Sequence, residues 1–372
     1  MKLNLAVMSV LAATVLLANQ AQAAPYRFTT LKTSEGIGSG ADAVNNFGQI
    51  AGYANARDAG AGRYGTIWYK GIPTTLGVLP GESYNAAQAI NNRGVTVGSS
   101  TGDDTFRIYS SVRWNGATAS ALKGSHALGI NDHDQIVGAS GFGQYSSAML
   151  WQGDSRTELG SLMGDYSYAK AINNTGQVVG ASTYDYHFDA PIHAVLWSGG
   201  TKSDLGTLGG TQSAASDISA SGVVVGWSEV SGSATRHAAL WSGGKVIELG
   251  GFAGFSGGEA NAINAGGSVV GFALLGDQLH AAMWRDGKVI DLNGFLSADA
   301  VASGWVLRTA NDINDQGWIV GNAVNARLGL ESGYLLTAVS LSPVPEPQTW
   351  AMLLMGLAGV AWLARRRKIF YP

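Results

Sequence analysis

The side chains best equipped for chemistry in this chain are six histidines and a set of aromatics that fall outside its regular pattern. His193, His237 and His280 each open an H-A-x-x-W run. An imidazole can ligate a metal or move a proton near neutral pH. Three copies at one repeat position, however, are read as scaffold, packing or bonding backbone at the starts of strands. His126 and His133 have no second ligand at metal-binding spacing. Asp132-His133-Asp134 is too short for a calcium loop and lacks its alternating oxygen ligands. Cysteine is absent, which excludes thiol nucleophiles and thiolate metal sites. No nucleophile elbow, phosphate-binding loop or zincin motif is present. No catalytic residue, metal or cofactor is therefore expected.

The aromatics that break the pattern are Tyr84, Tyr166, Tyr168, Tyr184, Tyr186 and Trp305, joined by Asp185 and His187. Tyr184-Asp185-Tyr186-His187-Phe188-Asp189 is the densest polar-aromatic run. Aromatic faces beside carboxylates suit stacking on sugar rings and bonding to their hydroxyls, and loops on a rigid scaffold commonly carry binding. These eight residues are the predicted ligand site. Asp103, Asp104, Asp185 and Asp189 could add a weak cation site nearby.

The elements that must position them come from a repeat. AKAINNTGQVVG at 169–180 recurs as ADAVNNFGQIAG at 41–52, AQAINNRGVTVG at 87–98 and ALGINDHDQIVG at 127–138. Further copies are ASDISASGVVVG at 215–226, ANAINAGGSVVG at 260–271 and ANDINDQGWIVG at 310–321. The marker residues Asn45, Asn91, Asn131, Asn173, Ser219, Asn264 and Asn314 stand 40 to 50 residues apart. A period in the forties with strand patterning indicates propeller blades. Each copy reads as a strand, an Asn-rich turn ending in Gly, and a second strand. Gly180 and its equivalents are predicted to allow close backbone approach or a bulge. A third strand ends on Trp68, Trp114, Trp151, Trp197, Trp241 or Trp284, with Leu336 in the last copy, and a polar fourth strand follows. The Trp stripe is expected to be core between blades. The seventh copy has no fourth strand of its own, whereas Tyr26–Leu31 is a strand without a partner. The expectation is an all-β, seven-bladed β-propeller of four-stranded blades, its ring closed by the N-terminal strand. A β-solenoid is the alternative. In the propeller, the loops after second and fourth strands open on one face, and the predicted ligand residues belong there.

The pattern A-x-x-I-N-x-x-G-x-V-V-G-x-S, with H-A-x-L-W and a D-L-G strand, resembles the HAF family of probable extracellular repeats. That resemblance implies location and fold, with no established catalytic activity. Three positions depart from it: Asp134 replaces a turn Gly, Ser219 replaces Asn, and Arg113 replaces Leu. The first predicts a reshaped turn and the last a more exposed strand.

Both ends carry export signals. Lys2, an apolar run to Leu17 and Ala21-Gln22-Ala23 read as a secretory signal peptide over 1–23, handled by the Sec translocon and signal peptidase. At the other end Val344-Pro345-Glu346-Pro347, an apolar run over 349–364 and Arg365-Arg366-Arg367-Lys368 follow in order. The run is slightly shorter than a spanning helix of about 17–25 residues, and the basic cluster would hold its end in the cytoplasm. This arrangement resembles the PEP-CTERM sorting signal, over 343–372. It implies an exosortase-type membrane protease as partner, transient anchoring in the inner membrane, and release to the envelope, surface or matrix of a Gram-negative bacterium. The domain between is 24–342. Without its cationic ends the chain is more acidic than its overall −3, so a footprint for nucleic acid is absent. The expected function is a non-catalytic binding or structural propeller associated with exopolysaccharide or surface proteins. The alternative is an extracellular glycan hydrolase or lyase, which would need two carboxylates on one face with shifted pKa values.

Overall fold

Alternation of small and β-branched residues on either side of an Asn–Gly turn produces a hairpin, and two hairpins joined edge to edge make each blade. A computed structural model describes residues 26–34, 38–55, 62–102, 109–141, 146–183, 190–339 and 355. Seven antiparallel sheets of four strands result. Their first, innermost strands are Ser39–Val44, Tyr84–Ile90, His126–Ile130, Ser167–Ile172, Gly209–Ile218, Phe255–Ile263 and Trp305–Ile313. These open blades 1 to 7.

Blade 7 takes its fourth strand from the other end of the chain. Tyr26–Thr30 pairs antiparallel with Leu330–Ala338, Tyr26 opposite Ala338 and Thr30 opposite Tyr334. The ring is thereby closed, as expected of the propeller and not of a solenoid, and the third strand of blade 7 is not left as an open edge. Tyr26–Ala338 is one compact unit. The expected signal peptide over 1–23 and the sorting residues Val344, Pro345, Glu346, Pro347, Arg365, Arg366 and Arg367 lie outside the described residues. Among those described, no helix is long and apolar enough to cross a membrane.

One irregularity recurs in every blade. Between first and second strands the register shifts by one residue, at Asp42, Gln88, Leu128, Lys170, Ser216, Asn261 and Asn311. Such a bulge leaves one residue unpaired and increases the local twist. It also explains the glycine of the second strand. A Cβ at Gly180 would strike the carbonyl oxygen of Tyr168, and the equivalent glycines face the same obstacle. Close approach and bulge are thus two aspects of one feature.

The Trp stripe is core between blades, as expected. Trp68 and Trp114 are fully buried, and the other four nearly so. Each indole also donates its Nε1–H to a backbone carbonyl beyond the preceding fourth strand, for example Trp197 to Gly160 at 3.0 Å and Trp68 to Lys32 at 2.7 Å. An indole so placed keeps both its apolar body and its donor satisfied. The wide spacing before Asn314 holds a 3-10 turn, Leu292–Phe295, and a one-turn helix, Ala298–Ala302.

Two sequence expectations fail for one reason. Asp134 does not reshape its turn: it adopts φ 58°, and its N–H bonds the Asn131 carbonyl as the glycines do in other blades. Arg113 does not expose its strand, for Trp114 beside it is fully buried. The two residues meet, with Arg113 Nη2 on Asp134 Oδ2 at 3.2 Å. Asp134 Oδ1 also accepts from Asn91 Nδ2 at 2.9 Å, replacing the Gln that Asn45, Asn131 and Asn173 each find four residues on.

Candidate functional site

The repeated asparagines consume themselves in the scaffold. Asn45, Asn91, Asn131, Asn173, Asn264 and Asn314 each donate Nδ2–H to the carbonyl of the equivalent residue one blade on, at 3.0–3.1 Å. Their Oδ1 atoms accept backbone N–H groups of their own turns, as Asn173 does from Thr175 and Gln177. Ser219 cannot reach the next blade. There Asp217 Oδ2 accepts from Ile263 N at 2.9 Å instead. The seven turns surround a cavity of about 230 Å³ on the axis.

Deeper along that axis stand Asp42, Lys170, Asp217 and Asp312, from blades 1, 4, 5 and 7. Burial pushes Asp42 up to about 6, against the pull of Lys170 and Arg63. It pushes Asp217 up to about 6 and Asp312 up to about 7, with Asp217 adding to the latter. Lys170 is lowered by the same burial, opposed by Asp42 and Asp217. Charges on blades 1 and 4 sense each other only across the axis, so these groups face one channel. They keep a little accessible surface toward it while protein encloses them, and desolvation therefore governs. Sequence reasoning missed them. Their signal was present: Asp217 and Asp312 stand where four other copies have Ala. Both are staples between blades. Asp312 accepts from Val44 N of blade 1 at 2.7 Å and from Ile313 N at 2.8 Å.

The three repeated histidines do serve structure, though their partners are side chains. Nδ1 of His193, His237 and His280 lies 2.8, 2.7 and 2.8 Å from Asp204, Glu248 and Asp291 on the adjoining fourth strands. Among the described residues no three His, Asp or Glu side chains are grouped to hold a metal ion.

The predicted ligand residues are distributed over several joints. Tyr166 and Tyr168 come together, with ring centroids 5.9 Å apart. Tyr84 meets Tyr64 across the joint of blades 1 and 2, also at 5.9 Å, and Trp305 packs near Phe28 in blade 7. Tyr184, Asp185, Tyr186 and His187 lie outside the described residues, as do Asp103, Asp104 and Asp189. Around Tyr166 and Tyr168 the fold adds residues not anticipated. Tyr168 packs against the buried cluster of Ala181, Ala214 and Trp227. Arg236 lies over the Trp227 ring, 4.0 Å from its centroid, and bridges to Glu259 of blade 6 at 2.8 Å. Burial pushes the Tyr168 hydroxyl up. Arg63 over Tyr53, at 4.1 Å, repeats the device in blade 1. Both aromatics directly follow the repeat glycine, where other copies carry Ser, Ala, Phe or Asn.

Residues 343–368 match the PEP-CTERM protein-sorting motif. The chain carries that sorting signal. It implies processing by an exosortase, and an exported, cell-surface protein. No curated protein matches the sequence. Among solved structures, the β-propeller domain of the Trilobed protease from Pyrococcus furiosus is similar with a TM-score of 0.51 and 12% identity, over 82% of this chain and 99% of that one. That domain is described as having an open velcro topology; here the N-terminal strand closes the ring. TolB from Acinetobacter baumannii gives 0.46 at 14% identity, over 66% of this chain and 62% of its own. The acylaminoacyl peptidase of Pyrococcus horikoshii gives 0.47 at 12%, over 79% and 52%. This chain thus spans less than two thirds of TolB and about half of the peptidase. At these identities the likeness is one of fold alone.

Proposed function

We propose that this chain is a surface-retained binding propeller of the HAF-repeat type, non-catalytic, whose loop face engages extracellular polysaccharide. One observation carries the reading. The recurring Asn, His and Trp side chains are committed to scaffold bonds, while non-repeating aromatics gather at Tyr166 and Tyr168 on the loop face. A rigid ring that presents half-buried tyrosines beside the Arg236–Glu259 pair has stacking surfaces and hydroxyl partners together. The sorting signal supports export to the cell surface, where an extracellular polysaccharide would be within reach.

The axial carboxylates favour this over glycan cleavage. Asp217 and Asp312 each have both oxygens bonded to backbone N–H groups, one of them on the next blade, which supports a role for them in joining blades rather than in cleavage. The test is affinity electrophoresis of the mature protein in the host's own exopolysaccharide. Tyr166→Ala with Tyr168→Ala is expected to weaken retardation at least five-fold; unchanged retardation of the double variant would remove the site assignment.

A further inference from the structure

A groove of about 440 Å³ runs along the joint between blades 7 and 1, on the side of the Asn turns and away from the loop face. Its walls carry Phe47, Trp68, Tyr69 and Trp318, with Lys32 and Lys70 among its lining residues. Phe47 is 67% exposed and Tyr69 44%. The Trp318 ring lies against Gly48, a turn glycine at φ 78° where a side chain would collide with it. The Lys70 ammonium sits 5.1 Å from the Tyr69 ring centroid.

The propeller supplies its own control. A groove of about 290 Å³ occupies the corresponding place between blades 4 and 5, again beneath a buried Trp, here Trp241. Ser242 and Gly243 stand there for Tyr69 and Lys70, Ser221 for Phe47, and Gln177 for Trp318. Asp204 is part of that lining. None of the aromatic additions at the 7–1 joint is needed to close a blade, since the 4–5 joint closes without them. Large aromatic side chains left open to water are disfavoured unless something covers them.

Charge says what does. The chain carries a net −3, yet this groove includes two lysines and no carboxylate. Flat rings beside ammonium groups fit sugar rings that bear carboxylates: the rings stack, and the lysines meet the acid groups. We infer that the 7–1 groove is a binding site for an anionic, uronate-type polysaccharide, separate from the loop-face site. It goes beyond the loop-face reading and does not depend on it.

The test uses the mature protein with alginate as acidic probe and dextran as neutral one, followed by isothermal titration at low and high salt. Alginate is expected to bind and dextran not, with affinity falling as salt screens the lysines. Trp318→Gln installs the side chain that three other turns carry, and Phe47→Thr the one found in blade 4. Each should weaken alginate binding at least ten-fold while thermal melting shows the fold intact; Tyr166→Ala should leave it unchanged. The inference is overturned if neither probe binds, if dextran binds as well as alginate, or if folded Phe47→Thr and Trp318→Gln bind alginate like the parent. It is equally overturned if sedimentation shows self-association that these two variants abolish, since the groove would then be covered by a second copy. Loss on Tyr166→Ala alone would instead support the loop face and remove the groove.

Discussion

The joint between blades 7 and 1 and the joint between blades 4 and 5 share one frame and differ in almost everything laid over it. In both, an Asn amide reaches the carbonyl of the next turn, Asn314 to Asn45 and Asn173 to Ser219, at 3.0 Å. In both, a buried indole bonds a carbonyl on the preceding blade's outer side, Trp68 to Lys32 and Trp241 to Gly206. Only the 7–1 joint brings together strands from the two ends of the chain. It has additional bonds near the axis, from Asn311 to the Ala41 carbonyl and from Val44 to Asp312, and its outer groove is aromatic and basic. The difference teaches that the frame tolerates wide variation once the Asn, Gly and Trp positions are met. Side chains that differ between joints are then available for closure or for binding.

Removing the shared frame should produce the largest effects. Trp68→Ala and Trp241→Ala are each expected to cost about 3–5 kcal/mol, the usual range for truncating a buried aromatic. Urea unfolding measures this, and a cost below about 1 kcal/mol at either joint would contradict the core role of the stripe. The axial amides come next. Asn173→Ala should cost about 2–3 kcal/mol, because it removes several buried hydrogen bonds of about 1 kcal/mol each. Asn314→Ala should cost less, because Asn311 and Asp312 continue to hold blade 1. Equal losses would show that these additional bonds contribute nothing to closure.

The smallest effect is a dependence on pH through the carboxyl that staples the 7–1 joint, at a position where blade 4 has Ala171. The Asp312 carboxyl is pushed from 3.8 up to about 7. The folded protein therefore holds this proton more tightly than the unfolded chain. Its contribution to stability is complete below pH 3.8 and is lost as pH rises through about 7. Asp217 and Asp42 act in the same sense up to about 6. Asp312→Asn should flatten the upper part of that decline, by on the order of 1 kcal/mol once water in the channel is allowed for. Unfolding curves from pH 4 to 8 would reveal it. A decline that is unaltered in the variant would exclude Asp312 as its source.

Legibility from sequence divides along the same line. Blade count, strand order, the closing strand and the burial of the Trp stripe were readable because each rests on a local rule applied seven times. The turn at Asp134 was misjudged because a positive φ in a non-glycine residue was weighed without its neighbours. Asn91, Arg93 and Arg113 all come from blade 2, and their convergence on that carboxylate has no signature in the local sequence. The candidate sites were harder still. Tyr166 and Tyr168 stand two positions apart in the chain and are legible together, whereas Trp227, Arg236 and Glu259 join them from two other blades. Phe47, Tyr69 and Trp318 were passed over singly, since 271 residues separate the first from the last.

By itself the sequence determined the architecture and the destination. A repeat of Asn turn, strand glycine and Trp, with an unpartnered strand ahead of it, favours a closed propeller over a solenoid, and a sorting signal is read as linear text. Tertiary structure alone decided which side chains meet. Ring closure brings residue 26 beside residue 338 and places carboxylates from blades 1, 5 and 7 around one axis. Desolvation and stacking depend on distances in space, and a ring makes neighbours of residues that the chain keeps far apart.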